Sequence, residues 1–132
     1  MIVDASNQVL GRLSSEVAKK LLNGEEITII NAEMAIITGN PKDIEENFMR
    51  KKKMGDPHHG PYYPKTPNGI LRRSIRGMLP YKKPRGREAF KRLKIYVGNP
   101  NNLKGEKITK EKNEIECKYL TLKKISDKLR GL

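Results

Sequence analysis

The stretch Gly55-Asp56-Pro57-His58-His59-Gly60 is the one place in this sequence where a carboxylate and imidazoles meet. Acid–base catalysis or a metal centre would draw on such residue types. Adjacent histidines, however, point to opposite sides of an extended backbone, and the chain has only two histidines, so no third is left to complete a ligand set. Loop packing or a polar contact by neutral imidazole is the better reading, and no catalytic residue and no metal is assigned. Gly55 and Gly60 have the spacing of a phosphate-binding loop, but no Lys-Ser/Thr pair follows. Cys117 stands between Glu116 and Lys118 with no histidine nearby, and reads as a plain thiol. A lone cysteine cannot close an internal disulfide, which fits a reducing compartment. Ser14-Ser15 reads as a small packing face. Asp43, Glu45 and Glu46 fall at the positive end of an expected helix, where the dipole accounts for them. Nothing here calls for a cofactor or a small-molecule substrate.

The cations carry more information. Of 132 residues, 28 are Lys or Arg and 15 are Asp or Glu, a net charge of +13 with a pI near 9.9. Residues 1–48 hold 4 basic and 8 acidic side chains, residues 49–94 hold 15 and 2, and residues 95–132 hold 9 and 5. The middle segment therefore carries the whole surplus. A solvated face intersperses both signs, whereas this segment, unneutralised, would repel itself. Seven of the nine arginines lie there, and guanidinium grips phosphate bidentately and stacks on bases. A nucleic acid is the expected partner, in preference to a membrane surface. The candidate contacts begin with Arg50, Lys51, Lys52 and Lys53 and continue with Lys65. They resume at Arg72, Arg73 and Arg76, then at Lys82, Lys83 and Arg85, and end with Arg87, Lys91 and Arg92. Tyr62, Tyr63 and Tyr81 lie among them, placed either to stack on unpaired bases or to tuck against the core. Neither short arginine-bearing helix has the clean bounds of a major-groove reader, so folded RNA suits the segment better than duplex DNA. No apolar run approaches the ~18–20 residues of a membrane span, and the first residues lack a secretory pattern, so a cytoplasmic location is expected.

These side chains must be held by a frame. Residues 2–4 read as a short strand. Leu10, Leu13, Val17 and Leu21 recur at helical spacing over 10–22, and Asn23-Gly24 stops that helix. The run 27–30 is β-branched and apolar on both faces, as a strand covered on two sides would be. A similar run occupies 35–38. Asn40 and Pro41 then open a helix over 41–53 that buries Ile44 and Phe48. Six of the eight prolines fall between 57 and 84, implying an extended loop with a short helix near 69–79 whose apolar side is Leu71, Ile75 and Met78. A helix at 86–93, a strand at 93–97 and a C-terminal helix at 121–130 complete the order. The expected class is an α/β layer architecture with a small, largely parallel sheet and the basic segment as an appendage, all within one domain, 1–132.

The ordered set of motifs is specific. DASNQVLGRLSS (4–15), INAE (30–33) with ITG (37–39), RGMLP (76–80), KPRG (83–86) and LKIYVG (93–98) together resemble large-subunit ribosomal protein thirteen, the universal L-thirteen family. The PHHGP loop (57–61) and the short length resemble its archaeal branch. The resemblance spans about residues 2–100, and 101–116 match no family pattern. It implies a three-layer α/β/α core with a four-stranded, mostly parallel sheet. It also implies a structural constituent of the large ribosomal subunit in the cytoplasm, binding its rRNA early in assembly and lying against neighbouring large-subunit proteins. Membrane binding and a homo-oligomer are not expected. Arg72, Arg73, Arg76, Lys82, Lys83, Arg85 and Arg87 would then form the rRNA-contacting set. The alternatives are an RNA-modifying or RNA-cleaving enzyme using Asp56, His58 and His59, and a free-standing DNA compactor.

Overall fold

The computed structural model describes residues 1–53, 64–108 and 118–131, with Lys52 and Lys53 described by backbone alone. Asp56, His58, His59, Tyr62, Tyr63 and Cys117 lie outside that set. Three aliphatic runs pair side by side in parallel: β1 (Ile2–Asp4), β2 (Ile27–Ile30) and β4 (Leu93–Ile95), in the order β1-β2-β4. Val3 stands opposite Ile29, and Ile29 opposite Ile95. Central β2 is the strand with apolar side chains on both faces, and Ile27, Ile29 and Ile30 are all buried. Fully burying one such side chain contributes about 1.5–3 kcal/mol.

β1 is joined to β2 through α1 (Leu10–Leu22), whose Leu13, Val17 and Leu21 face the core. Gly24, at φ +94°, ends it as expected by turning its N–H back to Leu21 O at 3.1 Å. The connection from β2 to β4 is far longer. It holds a 3-10 turn (Ala32–Met34), β3 (Ile36–Thr38), α2 (Pro41–Lys53), α3 (Pro67–Gly77) and α4 (Pro84–Lys91). After β4 the chain returns through β5 (Tyr119–Thr121) to α5 (Leu122–Leu129).

The α/β class with a small, mostly parallel sheet is as the sequence implies, with a different distribution of strands. The run at 36–38 does not join the parallel sheet through a ladder. It pairs antiparallel with β5, Ile37 opposite Leu120, and bridges through Ile36 to Val9 at the start of α1. A fourth place beside β1 is filled by the backbone of one residue, Glu106. Asp4 N–H donates to Glu106 O and Glu106 N–H donates to Ile2 O, both at 2.9 Å. Gly105 permits that approach, because a Cβ there would lie 2.8 Å from Asp4 N.

The ends of the strands are laced together. Asp4 Oδ1 accepts from Ser6 N–H at 3.0 Å and from the Asn31 side-chain amide at 3.2 Å, linking the exits of β1 and β2. Asn31 holds a left-handed φ of 56° to reach it. Glu33 Oε2 accepts from Gly98 N–H at 2.7 Å, tying the 3-10 turn to the exit of β4. Burial pushes the Asp4 carboxyl up, but the hydrogen bonds from Ser6 and Asn31 and the charge of Lys107 outweigh it and hold it below its ordinary value.

Candidate nucleic-acid interface

α3 begins with Thr66, whose hydroxyl accepts from Gly69 N–H at 3.2 Å, and with Pro67 in the first turn. Its bounds lie two residues earlier than the 69–79 expected, and those of α4 likewise precede 86–93. In each case a proline occupies the first turn, where a missing N–H leaves nothing unsatisfied. Ile70, Leu71 and Ile75 are at most 1% exposed, so α3 is built into the core rather than laid upon it. Met78 does not join them. It is the residue just past the helix end and is 45% exposed. Ser14 Oγ donates to Ser74 Oγ at 3.0 Å, pinning α3 to α1.

With one face of α3 fixed inward, the 3.6-residue period sends Arg72, Arg73 and Arg76 to the other side. The turn after α3 is closed by Tyr81 N–H to Leu79 O at 2.8 Å and Lys83 N–H to Pro80 O at 2.9 Å. Gly86, in the first turn of α4, lies directly on the Pro80–Tyr81 peptide. A Cβ there would fall on the Pro80 carbonyl and 2.8 Å from Tyr81 N. That contact sets α4 close against the turn, α3 and α4 both pack on α1, and Lys82, Lys83, Arg85, Arg87 and Lys91 along the turn and α4 are all exposed.

Two of the arginines are oriented by rings. The Arg72 guanidinium lies 4.2 Å from the Phe90 ring centroid, and that of Arg76 lies 4.8 Å from Tyr81. Between α3 and α4 a pocket of about 240 Å³ is lined by Pro64, Gly69, Arg72, Arg73, Arg76 and Phe90. Among the described residues, Arg72, Arg76, Lys82, Lys83, Arg85, Arg87 and Lys91 make no ion pair with an acid.

The other candidates sit apart from this face or have internal partners. Arg50 is exposed on α2 and donates to Asn47 Oδ1 at 2.8 Å, while Lys51 lies 4.8 Å from the Phe48 ring. Asn40 caps this helix as expected, accepting from Lys42 N–H at 3.1 Å. α2 packs on α5 and β5. Lys65 is exposed, and its carbonyl accepts from Ser126 Oγ at 2.5 Å. Arg92 is half-buried and faces the fold, donating through Nη2 to Leu21 O at the end of α1 at 2.6 Å. Tyr81 keeps partial exposure with Arg76 over its ring. Sequence reasoning missed Phe90 as the shelf for Arg72. The two are 18 positions apart on different helices, and no local pattern joins them.

Fold and face together define a class: an α/β frame that carries a cationic pair of helices on its flank. The family model described as Ribosomal protein L13 matches residues 1–102. Large ribosomal subunit protein uL13 of Methanocaldococcus jannaschii is 53% identical over 133 residues, covering 97% of this chain and 96% of that protein. The protein of the same name from Thermoplasma volcanium is 50% identical, covering 99% and 98%. That of Haloarcula marismortui is 44% identical, covering 98% and 90%. The chain belongs to the ribosomal protein L13 family. The family match ends at residue 102, yet these relatives align over nearly the whole chain, so the tail that carried no recognisable motif is shared with them.

Proposed function

We propose that this chain is a structural, non-catalytic constituent of the large ribosomal subunit in the cytoplasm. In this reading residues 49–94 bind large-subunit rRNA, and the chain acts as one domain among neighbouring ribosomal proteins and not as a homo-oligomer. The observation that carries the reading is the α3–α4 hairpin, a rigid face of exposed cations without acidic partners among the described residues. Family membership and the names of the relatives support it. Arg92 is assigned to the fold, since its guanidinium is already engaged by Leu21 O. The RNA-processing alternative rests on Asp56, His58 and His59, and no relative's name favours it.

The test is binding to deproteinised large-subunit rRNA across a salt series. Neutralising about 6–10 phosphates makes affinity fall by roughly three to five powers of ten between about 50 and 200 mM salt. Replacing both Lys82 and Lys83 with Ala should lower the log–log slope by about 2. Affinity independent of salt, or failure of the protein to sediment with the large subunit through a moderate-salt wash, would overturn the reading.

A further inference from the structure

We infer that the groove between α3 and α4 is a pocket for one unpaired nucleobase, received on the Arg72–Phe90 pair. This rests on the rRNA-binding reading and names the part of the RNA that the site takes.

Gly69, Arg72, Arg73 and Arg76 follow one another along a single stripe of α3, and the groove runs along that stripe. Its volume, about 240 Å³, accommodates a flat heterocycle. Pro64, Gly69 and Phe90 supply apolar walls, and among the described residues no carboxylate lines it. Gly69 sets the width of the end wall. A Cβ there would come 2.8 Å from Pro64 Cβ and 2.8 Å from Thr66 Oγ1, so a bare glycine is what lets Pro64 close in.

The chemistry favours a base over a phosphate. A phosphate needs N–H edges and water, both available at exposed Lys82 and Lys83 without any hollow. A guanidinium, in contrast, is a plane with two faces. The Arg72 guanidinium carbon lies over the Phe90 ring at 4.2 Å, a contact that orients the group. Arg72 and Phe90 both line the groove, so a base entering it meets an oriented guanidinium with apolar walls beside it for the rest of the ring. A paired base stays inside its own stack, so only an unpaired one can enter.

The experiment uses the full chain and deproteinised large-subunit rRNA, mapped nucleotide by nucleotide with 2′-hydroxyl acylation and base-specific modification. Two variants separate stacking from charge. Arg72→Lys keeps the charge and removes the plane, and Phe90→Leu keeps apolar volume and removes the shelf. The expected result is a change at an unpaired nucleotide with wild-type protein that Arg72→Lys and Phe90→Leu both lose, the remaining footprint and the salt slope staying unchanged. Kd should weaken about 5- to 150-fold, the range for loss of one stacked base. Retention of that change in Arg72→Lys, or uniform weakening of the whole footprint in its place, overturns the inference while leaving the rRNA-binding reading intact. A wild-type protein that leaves no footprint overturns both.

Discussion

Replacing Gly86 with Ala tests whether the cationic hairpin is held by backbone contact. The added Cβ would coincide with the Pro80 carbonyl group and lie 2.8 Å from Tyr81 N. Non-bonded carbons settle at about 3.5–4.0 Å, and the obstacle is main chain, which cannot rotate away as a side-chain tip can. The first turn of α4 must therefore retreat by about an ångström or more. Ala89 and Leu93, both buried, would be pulled with it. Overpacking of this kind costs about 1–3 kcal/mol and at times more, and the backbone obstacle places Gly86→Ala at the upper end, about 3 kcal/mol. At roughly 3–5 °C per kcal/mol for a chain of this length, the melting temperature should fall by about 10–15 °C. Gly77→Ala is the control on the same hairpin. Nothing lies within 4 Å of its Cβ position, and exchanging a helical Gly for Ala stabilises by up to about 1 kcal/mol. Melting followed by circular dichroism gives both numbers. If Gly86→Ala melts within about 2 °C of wild type, the close contact does not hold α4 and the account of a rigid face is wrong.

Three further outcomes follow from the contacts. Arg92→Ala should destabilise the fold by about 1–3 kcal/mol through loss of a charged hydrogen bond to Leu21 O, with the salt slope for rRNA unchanged; a drop in that slope would return Arg92 to the RNA-contacting set. The Asp4 carboxyl is held low in the folded state, so its ionised form stabilises the fold. Its contribution is fully present above the ordinary value of 3.8 and is lost as pH falls through the lower folded value. Asp4→Asn should flatten the urea-midpoint profile between about pH 2 and 5, and an unaltered profile would count against the assigned partners. Ser14→Ala strands the Ser74 hydroxyl at a cost of about 1 kcal/mol, and adding Ser74→Ala should cost little more. Fully additive losses would mean the two hydroxyls are not coupled.

The bounds of α2 were legible because Asn40 and Pro41 carry a capping signal. The starts of α3 and α4 were not, because Pro67 and Pro84 fall in a proline-rich run that reads as loop although each opens a helix. β5 was hidden for another reason. Three residues show no periodicity, and its partner β3 lies more than 80 positions earlier in the chain. Charge composition located the cationic segment, but it could not separate the exposed cations from one that holds the fold together. Arg92 and its acceptor are 71 positions apart, and only the folded chain brings them together.

In α/β proteins the crevice beyond the carboxyl ends of the parallel strands is where ligands characteristically bind. Here three polar side chains at that end, Asp4, Asn31 and Glu33, are tied to one another or to the backbone. Those contacts rivet the strand exits together. The same frame carries its cations on the flank, where the long passage between β2 and β4 places α3 and α4. An architecture suited to holding a small molecule at its tip is thereby made into a bracket, stiff enough at one end to present charge at the side.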